Sequence, residues 1–272
     1  MFGVSRQSYY QLIQRQKLRA EQLALIRPKV DRIRMRMPRI GTRKLHYLLS
    51  KELQEAGIKI GRDGLFEYLR SERLLVTRLK NYTKTTNSKH WLTKHPNLLK
   101  DLEVSRAEQV FVSDITYVKS RERTHYLSLV TDAFTRKIMG YKLSNDMSAD
   151  NVVQALNMAA KQRVTCKPLI HHSDRGLQYC SKLYQSKLSK YNITPSMTDG
   201  YDCYQNALAE RINGILKQEF LLYKCKNRYE LEILIKESIN TYNNERPHLS
   251  LNYKTPNYIH QKTTLGTQSG FN

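Results

Sequence analysis

Apolar residues in the middle of the chain fall into short runs that predict a sheet. Five runs are rich in β-branched and aromatic residues and have the length of strands: 110–118, 126–132, 137–143, 169–173 and 193–197. Stretches with the spacing of amphipathic helices lie at 150–163, 182–191 and 206–217. The order of three strands, helix, strand, helix, strand and helix predicts an α/β fold with a mixed five-stranded sheet.

The first eighty residues show helical spacing throughout. The stretch 5–36 contains no glycine and predicts one helix, whose basic residues either follow a phosphate backbone or face solvent. Two shorter amphipathic stretches, 41–57 and 61–74, meet at a glycine turn and predict a small basic all-α unit of helix-turn-helix type. Arg43 and Lys44 at its entry are candidates for DNA contact. The alternative is a helical hairpin that only packs against the core.

These patterns predict four segments. Residues 1–80 form the basic helical domain, and 81–103 form a polar linker. Residues 104–222 form the core that contains the sheet, and 223–272 form a C-terminal helix with a short polar tail. No apolar run approaches the roughly 20 residues of a membrane helix, and the first residues do not resemble a signal peptide. We expect a cytoplasmic protein with no membrane partner.

The positive charge is concentrated at the front of the chain. The formal net charge is +22, and residues 1–100 contain 23 Lys and Arg against 7 Asp and Glu. This excess predicts an anionic polymer as the partner of the front of the chain, although ribosomal and membrane-surface proteins can carry a similar excess. The four cysteines form no Cys-x-x-Cys pair, so nothing indicates a zinc ribbon or a disulfide scaffold.

Three acidic residues occupy positions that indicate metal-assisted chemistry. Asp114 lies inside the strand run 110–118, where a carboxylate is costly unless something pairs with it. Asp174 follows a later strand run, and Glu210 lies on the next helix but one. Hard cations such as Mg²⁺ or Mn²⁺ bind carboxylate oxygens, and two ions roughly 3.5–4 Å apart suit phosphodiester chemistry. We predict that Asp114 bridges two ions and that Asp174 and Glu210 each complete one.

Four strings together resemble a known family: SDITY at 113–117, DAFTRKIMG at 132–140, HSDRGLQY at 172–179 and YNNERPH at 242–248. They are similar to strings in the second-reading-frame product of two-frame bacterial insertion-sequence transposases, over about residues 35 to 258. The resemblance implies a ribonuclease-H-like core of the retroviral integrase type. It also implies an Asp-Asp-Glu triad with thirty-five residues between its last two members, as between Asp174 and Glu210.

The resemblance suggests supporting residues around the triad. The family places a basic residue seven positions after the Glu, where this chain has Lys217. Lys217 and Arg175 are expected to contact DNA. His172 and Asn206 are expected to orient groups around the carboxylates. Asn213 shares one helix face with the Glu, Asn206 and Lys217.

The chain departs from the family pattern at two positions. Phe111 stands where a Trp is usual, three positions before the first Asp, and Gln205 stands where an Asp is usual ahead of the catalytic helix. The second exchange leaves the triad intact but puts the helix cap or a neighbouring contact in doubt. Asp132 is a rival for the first Asp, which the family match assigns to Asp114. Glu219 is interpreted as a surface acid.

The resemblance implies a DNA transposase subunit that cuts element ends and joins the freed 3′-hydroxyl to another phosphodiester. Expected partners are double-stranded DNA (the terminal repeats and the target), an upstream-frame product fused to this one, and further copies of the chain on DNA. One alternative is a ribonuclease-H-like nuclease or resolvase without strand transfer. The other is a non-catalytic DNA-binding regulator or a decayed element copy.

Overall fold

The computed structural model describes residues 6–77, 92–199 and 206–265. The chain divides into two compact units, Met1–Arg78 and Leu79–Asn272. Gln205 and residues 81–91 of the predicted linker lie outside the described residues, as does the end of the predicted tail. Among the helices of the described part, none is long and apolar enough to cross a lipid bilayer.

The first unit is helical, with α1 Arg6–Ala24, α2 Ile26–Arg36, α3 Thr42–Glu55 and α4 Arg62–Ser71. The prediction of a single helix over 5–36 is wrong, because the helix breaks at Leu25. Pro28 explains the break, since in a continuous helix its ring would collide with the carbonyl of Ala24. The break instead places Pro28 in the first turn of α2, where a missing N–H leaves no hydrogen bond unmade.

Three of these helices pack around a small apolar core formed by Ile26, Val30, Ile40, Leu45, Leu49, Leu53, Leu65 and Leu69. Helix α1 contributes no buried residue. The turn between α3 and α4 contains Gly57, whose φ of 67° lies in the left-handed region that glycine adopts without steric cost. The predicted all-helical front of the chain is therefore confirmed.

The second unit is built on a mixed sheet of β1 Val110–Lys119, β2 Thr124–Asp132, β3 Ile138–Ser144, β4 Leu169–Ser173 and β5 Ile193–Met197. The strand order is β3-β2-β1-β4-β5. Strands β1, β2 and β3 pair antiparallel, whereas β4 pairs parallel with both β1 and β5. Every predicted strand is present, with ends within two residues of the prediction. The predicted ribonuclease-H-like fold class is confirmed.

The helices of this unit are α5 Ala149–Lys161, α6 Leu177–Cys180, α7 Lys182–Lys190, α8 Ala207–Ile215, α9 Arg228–Asn244 and α10 Pro256–Leu265. A π-helical turn, Leu216–Phe220, continues α8, and a short 3₁₀ turn, Leu249–Leu251, precedes α10. Helix α10 was not predicted. Its buried residues include the polar side chains of His260 and Thr264, so apolar periodicity did not reveal it.

Helices cover both faces of the sheet. On one face a core forms with α5 and α7 from Phe111, Val130, Met139, Leu156, Leu169, Tyr184, Leu188 and Ile193. On the other face Val112 of β1 packs in a smaller cluster with Ala209 of α8. The end of the predicted linker also contacts the sheet, because the Leu98 N–H donates to Ser196 Oγ at 2.9 Å.

Strand β3 and helix α5 approach so closely at Gly140 that a side chain has no room. A Cβ at this position would lie 2.1 Å from the carbonyl oxygen of Ala155 and 2.7 Å from the amide nitrogen of Ala159. We expect Gly140→Ala to lower the free energy of unfolding by about 3 kcal/mol, the upper end for overpacking a core, because the obstacle is backbone. Urea denaturation measures the loss.

Gly214→Ala is the matched control for this substitution. Nothing lies within 4 Å of a Cβ added at Gly214. Replacing a helical glycine there is expected to raise stability by about 0.5–1 kcal/mol. Equal stability of the two variants would contradict the close approach at Gly140.

Candidate active site

Asp114 lies in the middle of β1, on the face of the sheet that α8 covers. Side chains alternate along a strand, so Asp114 shares a face with Val112, which packs near α8. The Asp114 Oδ1 accepts a hydrogen bond from the N–H of Ile115 at 2.8 Å, and Oδ2 accepts one from Asn213 Nδ2 at 2.7 Å. The carboxylate is half-buried.

The pairing of β1 with β4 brings Asp174 beside Asp114. These parallel strands align Val112 with His172, and each acid follows its aligned residue by two positions. Adjacent strands lie about 4.8 Å apart. The backbones of Asp114 and Asp174 therefore lie side by side, and both side chains leave the same face of the sheet. The Asp174 Oδ1 accepts a hydrogen bond from the N–H of Gly176 at 3.0 Å, which shapes the loop after β4.

Glu210 is carried by α8 over the same face of the sheet. Asn206, which precedes α8, donates through Nδ2 to the carbonyl oxygen of Ser113 at 3.1 Å. Asn213, one turn after Glu210, donates to Asp114. The helix is therefore bonded to β1 on both sides of the glutamate, whose side chain is exposed. Asn213 was placed on this face from the sequence, but its contact with Asp114 was not predicted.

Burial and neighbouring carboxyl groups raise the pKa of Asp114 and of Glu210. Burial, followed by the charges of Asp174 and Glu210, raises the pKa of Asp114 to about 7. Burial and the charge of Asp174 also raise the pKa of Glu210. Burial lowers the pKa of the Lys217 ammonium, and the negative charge of Asp114 opposes this change. The four groups therefore interact as one electrostatic cluster.

The chemistry of these groups fits a hard divalent cation. Asp114 and Asp174 offer carboxylate oxygens, which Mg²⁺ and Mn²⁺ prefer. The raised pKa of Asp114 means that a cation would relieve repulsion there. Across residues 6–77, 92–199 and 206–265, however, no three Asp, Glu, His or Cys side chains have the spacing of a metal site. The exposed Glu210 would have to turn toward the aspartates to complete one.

The two histidines before Asp174 hold strands together. His172 Nδ1 lies 2.9 Å from Ser196 Oγ, which links β4 to β5. His171 Nε2 lies 2.7 Å from Ser113 Oγ and 2.8 Å from the Tyr184 hydroxyl. Burial lowers the pKa of His171 to about 3, so this ring is neutral. None of these three contacts is with Asp114, Asp174 or Glu210.

The residues expected to contact DNA are found in different places. Lys217 lies in the π-helical turn after α8, within the electrostatic influence of Asp114. Arg175 follows Asp174, and its Nη2 lies 4.0 Å from an oxygen of Asp199. In the first unit, Arg43 is exposed and Lys44 is half-buried, both in the first turn of α3.

Asp132, the rival for the first acid, has a local structural role. Its Oδ1 accepts hydrogen bonds from the N–H of Thr135 at 2.7 Å and from the Thr135 hydroxyl at 2.9 Å. Its Oδ2 accepts one from the N–H of Glu108. These contacts close the turn after β2.

Proteins of known sequence are similar to this chain. Models described as integrase core domain match residues 104–203 and 191–256. The chain is 36% identical over 268 residues to the insertion element IS600 uncharacterized 31 kDa protein of Shigella sonnei, covering 96% of this chain and 97% of that protein. It is 31% identical over 202 residues to the transposase for insertion sequence element IS629 of Shigella sonnei, covering 69% and 67%.

A solved structure shows the same fold. It is the cryo-EM structure of a simian T-cell lymphotropic virus intasome in complex with PP2A regulatory subunit B56 gamma, with a TM-score of 0.53 and 18% identity, covering 81% of this chain and 74% of that chain. The fold defines a protein with a ribonuclease-H-like integrase core. Within the proteins that have such a core, the sequence relatives identify the family. The chain belongs to the transposases of bacterial insertion sequences.

Asp114→Asn is expected to stabilise the protein at neutral pH. The folded pKa of about 7 exceeds the value of about 3.9 for an unfolded aspartate, so the unfolded state loses its proton first as the pH rises. The Asp114 carboxyl contributes its full share to the free energy of unfolding below about pH 4, and this contribution is lost as the pH rises from about 4 to about 7. Without divalent ions at pH 8, we expect the variant to be more stable by on the order of 1–3 kcal/mol.

Thermal unfolding from pH 4 to pH 8 measures this difference, and the two proteins should converge near pH 4. Asp146→Asn is the control. Hydrogen bonds from the backbone and side chain of Ser148 lower the pKa of Asp146, so this carboxylate adds stability above its unfolded pKa. The Asp146 variant should therefore gain nothing at pH 8. Equal stability of wild type and Asp114→Asn at pH 8 would refute the crowding of the three acids.

Proposed function

We propose that this chain cuts the ends of its insertion element and joins the freed 3′-hydroxyls to target DNA, with Asp114, Asp174 and Glu210 as the catalytic triad. One observation carries the assignment. Asp114 and Asp174 occupy neighbouring positions along the adjacent parallel strands β1 and β4. The helix that carries Glu210 is hydrogen-bonded to Asp114 through Asn213. Membership of the transposase family supports this reaction class.

We infer that Asp114, Asp174 and Glu210 would together hold two divalent ions, Mg²⁺ or Mn²⁺. When bound, such ions activate the attacking oxygen and stabilise the leaving oxygen of an in-line displacement. Asn213 and the N–H of Ile115 each occupy one acceptor direction of Asp114 and thereby orient its remaining lone pairs. Glu210, exposed on α8, is free to reorient.

In this proposal the chain uses two successive nucleophiles and no covalent protein–DNA intermediate. Water attacks the phosphodiester at an element end and releases a 3′-hydroxyl. That hydroxyl then attacks a target phosphodiester, forming one P–O bond while another breaks. Lys217 beside the carboxylates would bind a phosphate oxygen as a point charge. The neutral, buried His171 takes no part as a base.

The proposed partner is double-stranded DNA, both as element terminal repeats and as target. Residues 1–80 would serve as the DNA-binding domain, 81–103 as linker, 104–222 as catalytic core and 223–272 as its C-terminal support. We also propose, from the family resemblance, that the chain works with an upstream-frame product and as several copies on DNA.

Strand transfer on a plasmid that carries the element ends tests the triad. The full chain is supplied together with the upstream-frame product, with Mg²⁺ or Mn²⁺, and joined products are quantified. Glu210→Gln and Asp174→Asn are each expected to reduce joining by at least about 100-fold, the effect of removing a group that stabilises transition-state charge. Both variants should still bind DNA.

The outcomes separate the alternatives. Metal-dependent nicks without joined products would favour a nuclease or resolvase. A wild type that binds DNA without any metal-dependent cleavage would favour a regulator or a decayed copy. Glu122→Gln is a suitable control, because it removes one exposed carboxylate in the β1–β2 turn and should leave joining unchanged. Joining by Glu210→Gln at the wild-type rate would remove the catalytic assignment.

DNA binding by the first unit has its own test. Replacing both Arg43 and Lys44 by Ala should weaken binding to a non-specific duplex. The slope of log K against log salt should fall in magnitude by about 1.8, since each phosphate contact contributes about 0.9. Fluorescence anisotropy between about 50 and 200 mM salt measures the slope.

Arg27→Gln is the matched control for charge in this unit. Arg27 Nε lies 2.9 Å from an Asp31 oxygen, and Nη1 lies 3.4 Å from a Glu72 oxygen, so its charge is already balanced locally. We expect this variant to keep the wild-type slope. An unchanged slope in the Arg43 and Lys44 variant would exclude these two residues as phosphate contacts.

A further inference from the structure

The YNNERPH string at 242–248 forms a buried ionic cluster around Arg246. This residue is 2% exposed. Its Nε donates to Glu219 Oε2 at 2.7 Å, and its Nη2 donates to Oε1 at 2.6 Å. Two parallel hydrogen bonds to one carboxylate give the pair a single well-defined geometry. The interpretation of Glu219 as a surface acid is wrong, because its side chain is only 16% exposed and is ion-paired.

Neighbouring residues anchor Arg246 to the edge of the sheet. Its Nη1 donates to His248 Nε2 at 3.0 Å, and its guanidinium lies 5.8 Å from the centre of the Tyr242 ring. Asn243, next to Tyr242, bonds through its side chain to both the N–H and the carbonyl of Ile138, each at 3.0 Å. The guanidinium is therefore held in place relative to β3.

Glu219 belongs to the π-helical turn that continues α8. Lys217 lies in the same turn, Leu216–Phe220, two residues before Glu219. A π-helical turn is rarely adopted and changes the direction in which side chains leave the helix. The contact with Arg246 ties this turn to the segment that follows α9.

We propose that Arg246 is a positioning residue for Lys217: by holding Glu219, it fixes the π-helical turn and sets where Lys217 meets the DNA phosphate. This inference rests on the function proposed above. Arg246 is too buried to contact DNA itself. The contact of Glu219 with Arg246 then adds a third attachment of this helix to those of Asn206 on Ser113 and Asn213 on Asp114.

Burial explains why an ion pair suits this role. If the turn shifted, the two parallel hydrogen bonds between Glu219 and Arg246 would be lost while both charges stayed largely buried, which is strongly unfavourable. Apolar side chains in contact would tolerate sliding by a fraction of an ångström. The pair therefore restricts the turn to one arrangement relative to β3.

A double-mutant cycle tests the proposal. Joining rates are measured on the element-end plasmid for the wild type, Lys217→Gln, Arg246→Lys and the double variant. Arg246→Lys keeps the buried charge but loses the bidentate geometry. We expect Lys217→Gln to slow joining about tenfold in the wild type and less than about twofold in the Arg246→Lys background, as for residues coupled through one element. A double variant whose loss of joining equals the product of the losses in Lys217→Gln and Arg246→Lys would overturn the proposal.

Lys236→Gln supplies the control for this cycle, because Lys236 is an exposed cation on α9. The fold-changes in joining rate caused by Lys236→Gln and by Lys217→Gln should simply multiply in the double variant. A second measurement does not depend on activity. Amide hydrogen exchange at residues 216–220 should become about tenfold faster or more in Arg246→Lys, while β1 and β4 keep their protection.

The possible failures can be told apart. A wild type that joins no DNA removes the proposed function and, with it, the DNA role of Lys217. Unchanged exchange at 216–220 in an active protein overturns the Arg246 inference alone. Faster exchange throughout the second unit would show general destabilisation and would also overturn it.

Discussion

The parallel pairing of β1 with β4 is the constraint on which the site depends. It aligns Val112 with His172, and a slip of one residue would turn Asp174 to the opposite face of the sheet. The register is fixed from that opposite face. There His171, aligned with Phe111, contacts both the Ser113 hydroxyl of β1 and the Tyr184 hydroxyl of α7. The buried, uncharged hydrogen bonds among Ser113, His171 and Tyr184 thus fix the relative positions of Asp114 and Asp174, although none of them is made to either acid.

Gathering three carboxyl groups around β1 has an electrostatic cost, which the raised pKa of Asp114 expresses. The structure reduces this cost with dipoles and one nearby cation. The amide of Asn213 and the N–H of Ile115 donate to Asp114, and the Lys217 ammonium lies within its influence. The hydrogen bond from Asn213 therefore both reduces the repulsion among the acids and holds α8 against the sheet.

Sequence patterns predicted what depends on local periodicity. The five strands follow from short apolar runs, and so do the positions of Asp114 inside one strand and of Asp174 just after another. The choice of Glu210 as the third acid came from the family resemblance. Contacts between distant segments were beyond such patterns: Asn213 and Asp114 are 99 residues apart, and Arg246 and Glu219 are 27 apart. Helix α10 was missed because polar residues such as His260 are among those it buries. The helix break at Leu25 is caused by Pro28, and a prediction from apolar spacing alone did not take this proline into account.

Two acids in the second unit show how the same fold treats a structural and a candidate catalytic carboxylate. Glu108 is fully buried, and burial opposes its ionisation. The nearby His260 ring, whose Nε2 lies 3.4 Å from Oε1, and hydrogen bonds from Val164 and Thr165 nevertheless lower its pKa to about 2. Asp114 receives fewer donors and has two acids nearby, and its pKa rises to about 7. Burial is therefore not what separates them. Glu108 has its acceptor capacity filled by protein donors, whereas Asp114 keeps lone pairs and a negative potential that suit a cation.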